Sequence, residues 1–135
     1  MSNAPLLQSA LAEYFAPWIQ DLKLAVESCD DDSVTLRLPQ NAKLSRVGGM
    51  VCGQALMAAA DTAMALALAN HFGEFKPCTT VQMNASFLKP LSNQDALIQA
   101  RVLRAGKSLA FGEIDIRGAT DGKSASRATA IYALL

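Results

Sequence analysis

Apolar residues recur at helical spacing where the chain opens: Leu7, Leu11, Tyr14, Phe15 and Trp18 share one face of residues 5–19. That spacing predicts an amphipathic helix, bent or ended by Pro17. The period then shortens. Residues 22–28 and 33–38 read as two strands joined by the acidic turn Asp30-Asp31-Asp32. In the second, Val34, Leu36 and Leu38 alternate with Thr35 and Arg37 before Pro39 ends the run. Residues 40–52, with Gly48 and Gly49, read as a loop. Residues 53–72 carry strong helix formers nearly throughout, one charge at Asp61 and a stop at Gly73. Four more strands follow, over 78–88, 96–104, 109–118 and 124–134. In the first, Val81, Met83, Ala85 and Phe87 alternate with Gln82, Asn84 and Ser86. In the third, Ile114 and Ile116 alternate with Glu113, Asp115 and Arg117, and the fourth ends in Ile131, Tyr132 and Leu134. Short turns at Ser92-Asn93, Gly106-Lys107 and Asp121-Gly122 predict antiparallel neighbours throughout.

A helix that is apolar all round must be buried all round. It is no membrane span, because its apolar runs fall far short of the roughly 20 residues required. A central Asp would also cost about 2.5–3.5 kcal/mol there. The expected class is therefore α+β, with a curved antiparallel sheet wrapped around one long central helix. A single layer of strands still leaves one side of the helix or one sheet edge uncovered, so self-association completes the burial.

The chain has 135 residues, enough for one domain over 1–135, comprising an N-terminal helix at 1–19, the central helix at 53–72 and the strands. Twelve basic and twelve acidic side chains cancel, which argues against nucleic acid or an anionic membrane as partner. Cys29, Cys52 and Cys78 are odd in number and widely spaced, unlike a disulfide scaffold or a zinc site. No basic stretch leads into an apolar run at the N-terminus, so no secretory leader is expected. These features together predict a cytoplasmic protein without a metal.

Asp61 is the residue out of place. A buried carboxylate must be paired or neutralised, and its helical neighbours Met57, Ala58, Met64 and Ala65 carry no positive charge. An acid so placed suits a general base or a nucleophile; alternatively, it bonds to backbone or to Thr62, or faces a polar surface. His71, the one histidine, is ten residues on, about 15 Å along the helix, and reads as a C-terminal residue favoured by the dipole. Cys52 opens the helix, where a thiol pKa falls, although a small hydrophobe is the simpler reading. Gly53 follows with an unpaired amide and no Cβ, so a carbonyl oxygen can approach it. Gly53 and Asp61 lie about 12 Å apart along the helix, too far for one chain to bring both to one carbonyl. Two chains with antiparallel helices across a two-fold axis can.

The stretch from Gly48 to Ala63, Gly48-Gly49-Met50-Val51-Cys52-Gly53-Gln54 onward through Asp61-Thr62-Ala63, resembles the helix motif of hotdog-fold acyl-CoA thioesterases of the phenylacetate-degradation type. Residues 79–90, ending Phe87-Leu88-Lys89-Pro90, are similar to the strand of that family, and Gly106-Lys107 to its basic hairpin near coenzyme A. The resemblance spans residues 20–135. It implies a hotdog fold, a homodimer or dimer of dimers, and an acyl-CoA substrate, with no cofactor beyond the coenzyme A of that substrate. It implies an acid acting on water or on the thioester carbon, matched by Asp61, and a polarising amide from the other subunit, matched by Gly53. Thr80 matches an assisting hydroxyl. Cys52-Gly53-Gln54 stands where the family usually reads His-Gly-Gly, and Arg46 where it has an Asn. Cys52 and Gln54 are thus expected beside the substrate. Arg46, Lys89 and Lys107 are candidate contacts to phosphate or, for Arg46, to an acidic acyl group; solvated surface charge is the other reading for each. A non-catalytic acyl-CoA binding module is the alternative function. Dehydratase chemistry ranks last, because it usually pairs a His with the acid.

Overall fold

A computed structural model describes residues 3–135; Met1 and Ser2 of the expected opening helix lie outside the described residues. The opening segment forms two helices rather than one, α1 (Ala4–Glu13) and α2 (Pro17–Gln20). Pro17 starts the second helix, with Ala16 held extended before it (φ −56°, ψ 148°), as the proline ring requires of its predecessor. Lys23 then turns through a left-handed conformation, which delays the first strand. The strands are β1 (Ala25–Cys29), β2 (Ser33–Leu38), β3 (Cys78–Phe87), β4 (Ala96–Ala105), β5 (Leu109–Gly118) and β6 (Ser124–Leu134). Helix α3 (Gly53–Phe72) separates β2 from β3.

The six strands form one antiparallel sheet in the order β1-β2-β4-β5-β6-β3. The Gly106-Lys107 and Asp121-Gly122 turns close hairpins between neighbours. The Ser92-Asn93 turn does not: β3 pairs with β6 at the far edge instead of with β4. Residues 88–95 are a crossing connection, anchored where buried Leu91 accepts a hydrogen bond from the Val51 amide (2.9 Å) and Met50 bridges to Ser92. The loop before α3 supplies these backbone partners, and so the segment has no need of a hairpin.

One face of the sheet packs on α3 through Val34, Leu36, Ile98, Ile114 and Ile116, all buried. Close approach sets residue size there. A Cβ on Gly112 would collide with the Met64 side chain and lie 2.9 Å from the main-chain oxygen of Arg101, a contact that side-chain repacking cannot relieve. On β6 the buried positions are Ala125, Ser126, Ala128, Ala130 and Tyr132, small until the last. Among the described residues, no helix is long and apolar enough to cross a membrane.

Two surfaces are left open. Along α3, Gln54 is exposed and Ala58, Asp61 and Ala65 are half-buried, a stripe at i, i+4, i+7 and i+11 that the sheet does not cover. The edges of the sheet differ as well. β1 has five residues, a bulge and a charge at Glu27, and its Val26 amide is held by Gln8 of α1 (2.9 Å). β3 has ten residues and no charge. A long, uncharged, uncovered edge is a template for another strand.

Candidate active site

The carboxylate of Asp61 meets β3 and β6 through a departure from strict alternation. Met83 and Ala85 of β3 pack toward the core, and the Phe87 ring reaches α3 at Gly53. Continued backward, that parity would bring Val81 inward and send Thr80 out. The pairing of β3 with β6 instead shifts register between Thr80 and Gln82, leaving Val81 unpaired and 58% exposed. The bulge thereby turns Thr80 toward α3, where its hydroxyl donates to Asp61 Oδ1 at 2.7 Å. Val81 is consequently not a core residue of that strand, contrary to its place in the alternating pattern.

Tyr132, the register partner of Thr80 on β6, completes the group. Its hydroxyl donates to Asp61 Oδ1 and also lies 3.0 Å from the main-chain oxygen of Asp61. The ring is 2% exposed. Burial, and then the hydrogen bond to the carboxylate, push the phenol pKa far above its ordinary value, so the group stays protonated and acts as a donor. Cys78, two residues before Thr80, has its thiol pushed up by burial and, secondarily, by the charge of Asp61. No ion pair to Asp61 exists among the described residues, in keeping with the absence of a basic helical neighbour. No hydrogen bond from them reaches its other oxygen, Oδ2. Since no sealed side-chain polar atom among them lacks a partner, Oδ2 is open to the surface along the uncovered stripe.

Gly53 occupies a different place. It is the first residue of α3, after Cys52, whose side chain makes no capping bond. The first amide of that turn with a partner inside the helix is Leu56, which donates to the Cys52 carbonyl at 3.3 Å. The Gly53 amide is thus among the unpaired donors at the positive end of the helix. It borders an open cleft of about 350 Å³ whose wall includes Met50, Leu56, Phe87 and Leu91, with Arg46 and Lys89 at its sides.

The candidate residues fall into two groups. Gly53, Arg46 and Lys89 share this cleft, with Cys52 and exposed Gln54 next to Gly53 in the chain. Asp61 and Thr80 lie outside it, joined by Tyr132, which sequence reasoning missed. Lys107 belongs with the second group: Ser108 beside it accepts from the Leu134 amide (2.9 Å), and Leu134 is the register partner of Cys78. Lys89 is already engaged, 3.2 Å from Asp121 Oδ2. Hydrogen bonds from the Lys123 amide, Gln94 and Lys89 hold the Asp121 pKa at about 2. Arg46 donates to the carbonyl of its neighbour Val47 at 3.0 Å. His71 is exposed in the last turn of α3, its ring edge-on to Phe72.

Comparison with known proteins bears on this geometry. The sequence pattern of the thioesterase superfamily matches residues 48–125, more than half of the chain. A relative from Halobacterium salinarum named "putative esterase" is 30% identical over 120 residues, covering 84% of this chain and 76% of its own length. A second of that name, from Thermoplasma acidophilum, is 25% identical over 97 residues, 72% of this chain and 73% of its own. Among solved structures, a thioesterase family protein from Silicibacter pomeroyi superposes with a TM-score of 0.86 at 20% identity, over 98% of this chain and 97% of its own. At that identity the likeness is one of fold, and the fold is the hotdog arrangement of curved sheet and central helix.

Proposed function

Because the chain belongs to the thioesterase superfamily, and is a hydrolase of that chemistry, we propose that it hydrolyses acyl-CoA thioesters in a site shared by two copies of itself. The observation that carries this reading is the uncommitted Oδ2 of Asp61, on an open helix face about 12 Å from an equally uncommitted Gly53 amide. The two groups sit at opposite ends of β3: Asp61 bonds to Thr80, and Gly53 packs on Phe87. Antiparallel pairing of two β3 edges about a two-fold axis near Met83 and Asn84 exchanges those ends. Asp61 of one subunit then faces the partner subunit's Gly53, and the uncovered stripes of the two α3 helices cover each other.

In such a site the partner's Gly53 amide donates to the thioester carbonyl oxygen and holds the negative charge that develops there. Asp61 Oδ2 takes a proton from water as the water oxygen bonds to the carbonyl carbon; in the alternative course, Oδ2 attacks that carbon itself. Cleavage of the carbon–sulfur bond expels the thiolate, which takes up the proton held on Asp61 as the carboxylic acid departs; in the nucleophilic course it leaves an acyl–Asp61 anhydride, which a water molecule hydrolyses to the carboxylic acid and free Asp61. Lys107 on the Asp61 side and the partner's Arg46 and Lys89 on the Gly53 side meet at one mouth, suited to coenzyme A phosphates. The finer placement among phenylacetate-degradation thioesterases and a cytoplasmic location belong to the same proposal.

Cys52 in place of the usual histidine favours a second reading, a module that binds acyl-CoA without turning it over. A panel of acyl-CoA thioesters assayed by release of free thiol separates the two. Turnover of at least one member, proportional to enzyme, is expected. Saturable binding with no thiol above background across the panel contradicts hydrolysis and supports the binding module.

A further inference from the structure

We infer that Tyr132 is a positioning residue of this site: with Thr80 it occupies Asp61 Oδ1 and leaves Oδ2 as the single oxygen able to act. The inference rests on the reading of Asp61 as the acting acid. It concerns a residue that lies beyond the matched 48–125 region.

A carboxylate on a helix has two chemically equal oxygens and a side chain free to rotate about two bonds. Left alone, it presents either oxygen to the substrate. Here two hydroxyls from neighbouring strands converge on one of them, from Thr80 on the edge strand and Tyr132 next to it. The two donors differ in character. Thr80 is exposed on a strand edge and reaches Asp61 only by virtue of the bulge at Val81. Tyr132 is sealed beneath the helix, its ring fixed by the core, its hydroxyl also within reach of the main-chain oxygen of Asp61. Tyr132 therefore ties the carboxylate to the backbone of its own residue, and Thr80 adds a second, looser restraint. Burial keeps the phenol protonated through the working range of pH, so the donor is never lost to ionisation. Cys78 is the other titratable group beside Asp61 on the same strands, and burial keeps its thiol protonated as well.

The test replaces each donor in the whole 135-residue chain. Tyr132→Phe keeps the ring and removes the hydroxyl; Thr80→Val removes the other. For Tyr132→Phe, kcat is expected to fall about 10- to 100-fold with KM within about twofold, since a mispositioned acid harms the chemical step rather than binding. A purely structural tyrosine lowers the melting temperature without that split. The double variant should approach the residual rate of Asp61→Ala. As an independent check on the unsubstituted chain, the hydroxyl proton of its one buried tyrosine should resonate far downfield and move upfield in Asp61→Ala. If Asp61→Ala abolishes turnover while Tyr132→Phe keeps kcat unchanged, the positioning role is overturned and the function stands. If Asp61→Ala itself keeps full turnover, the functional reading fails first.

Discussion

An Asp61→Ala variant is expected to fold, to assemble and to lose thioester hydrolysis by about 10²- to 10⁴-fold, the contribution of a positioned acid–base group. The structure separates the two halves of this expectation. Asp61 is half-buried on the uncovered stripe of α3, in no ion pair, and alanine is the strongest helix former available for that position. Of its two donors, Thr80 is exposed and can turn to water, while Tyr132 retains the main-chain oxygen of residue 61 as acceptor. Stability should therefore change by no more than about 1 kcal/mol, the net value of a hydrogen bond, in either direction. Thiol release measured beside a thermal melt decides the matter. Loss of rate with an unchanged melt supports a chemical role. Unchanged rate returns Asp61 to the structural alternative, a carboxylate satisfied by two hydroxyls.

Gly53→Ala should produce the second large effect. The backbone of Gly53 is not left-handed, and an added Cβ would come no closer than 3.4 Å to the Phe87 ring, an ordinary contact. Neither conformation nor packing within the subunit demands glycine there. What a methyl group obstructs is the approach of a carbonyl oxygen to the unpaired amide. Displacing the reacting centre by about 1 Å costs on the order of 10²-fold in rate, and the loss should appear in kcat. A Gly53→Ala enzyme with the original kcat would remove the amide from the mechanism and leave glycine unexplained by chemistry.

How far these features were legible in the sequence depends on the range of the interaction that creates each. The central helix and its lone acid could be read directly, because helix formers, a single charge and Gly73 are local signals. The strands of the sheet were legible through alternation for the same reason. The place of β3 was not. Ser92-Asn93 looks like the other turns, and only the contacts of Leu91 and Met50 with the loop before α3 make it a crossing. The bulge at Val81 was equally hidden, since apolar Val81 fits the alternation that the pairing with β6 then breaks. Tyr132 looked like one more apolar strand residue, and its hydroxyl acquires meaning only because α3 passes above it. Composite reach between Gly53 and Asp61 was legible from helix rise alone. The uncharged ten-residue edge of β3, on the opposite side of the sheet from the guarded β1, came from the topology.

The sharing of one site between two subunits is tested most directly by mixing two inactive variants. Asp61→Ala chains and Gly53→Val chains are each expected to be inactive, and the two are then unfolded, combined in equal amounts and refolded together. If the acid and the amide come from different subunits, half of the dimers are mixed and each carries one intact site. Activity should then return to about one quarter of the unsubstituted rate. If both groups acted within one chain, every site in the mixture would carry a lesion, and a refolded mixture as inactive as its components would contradict the account.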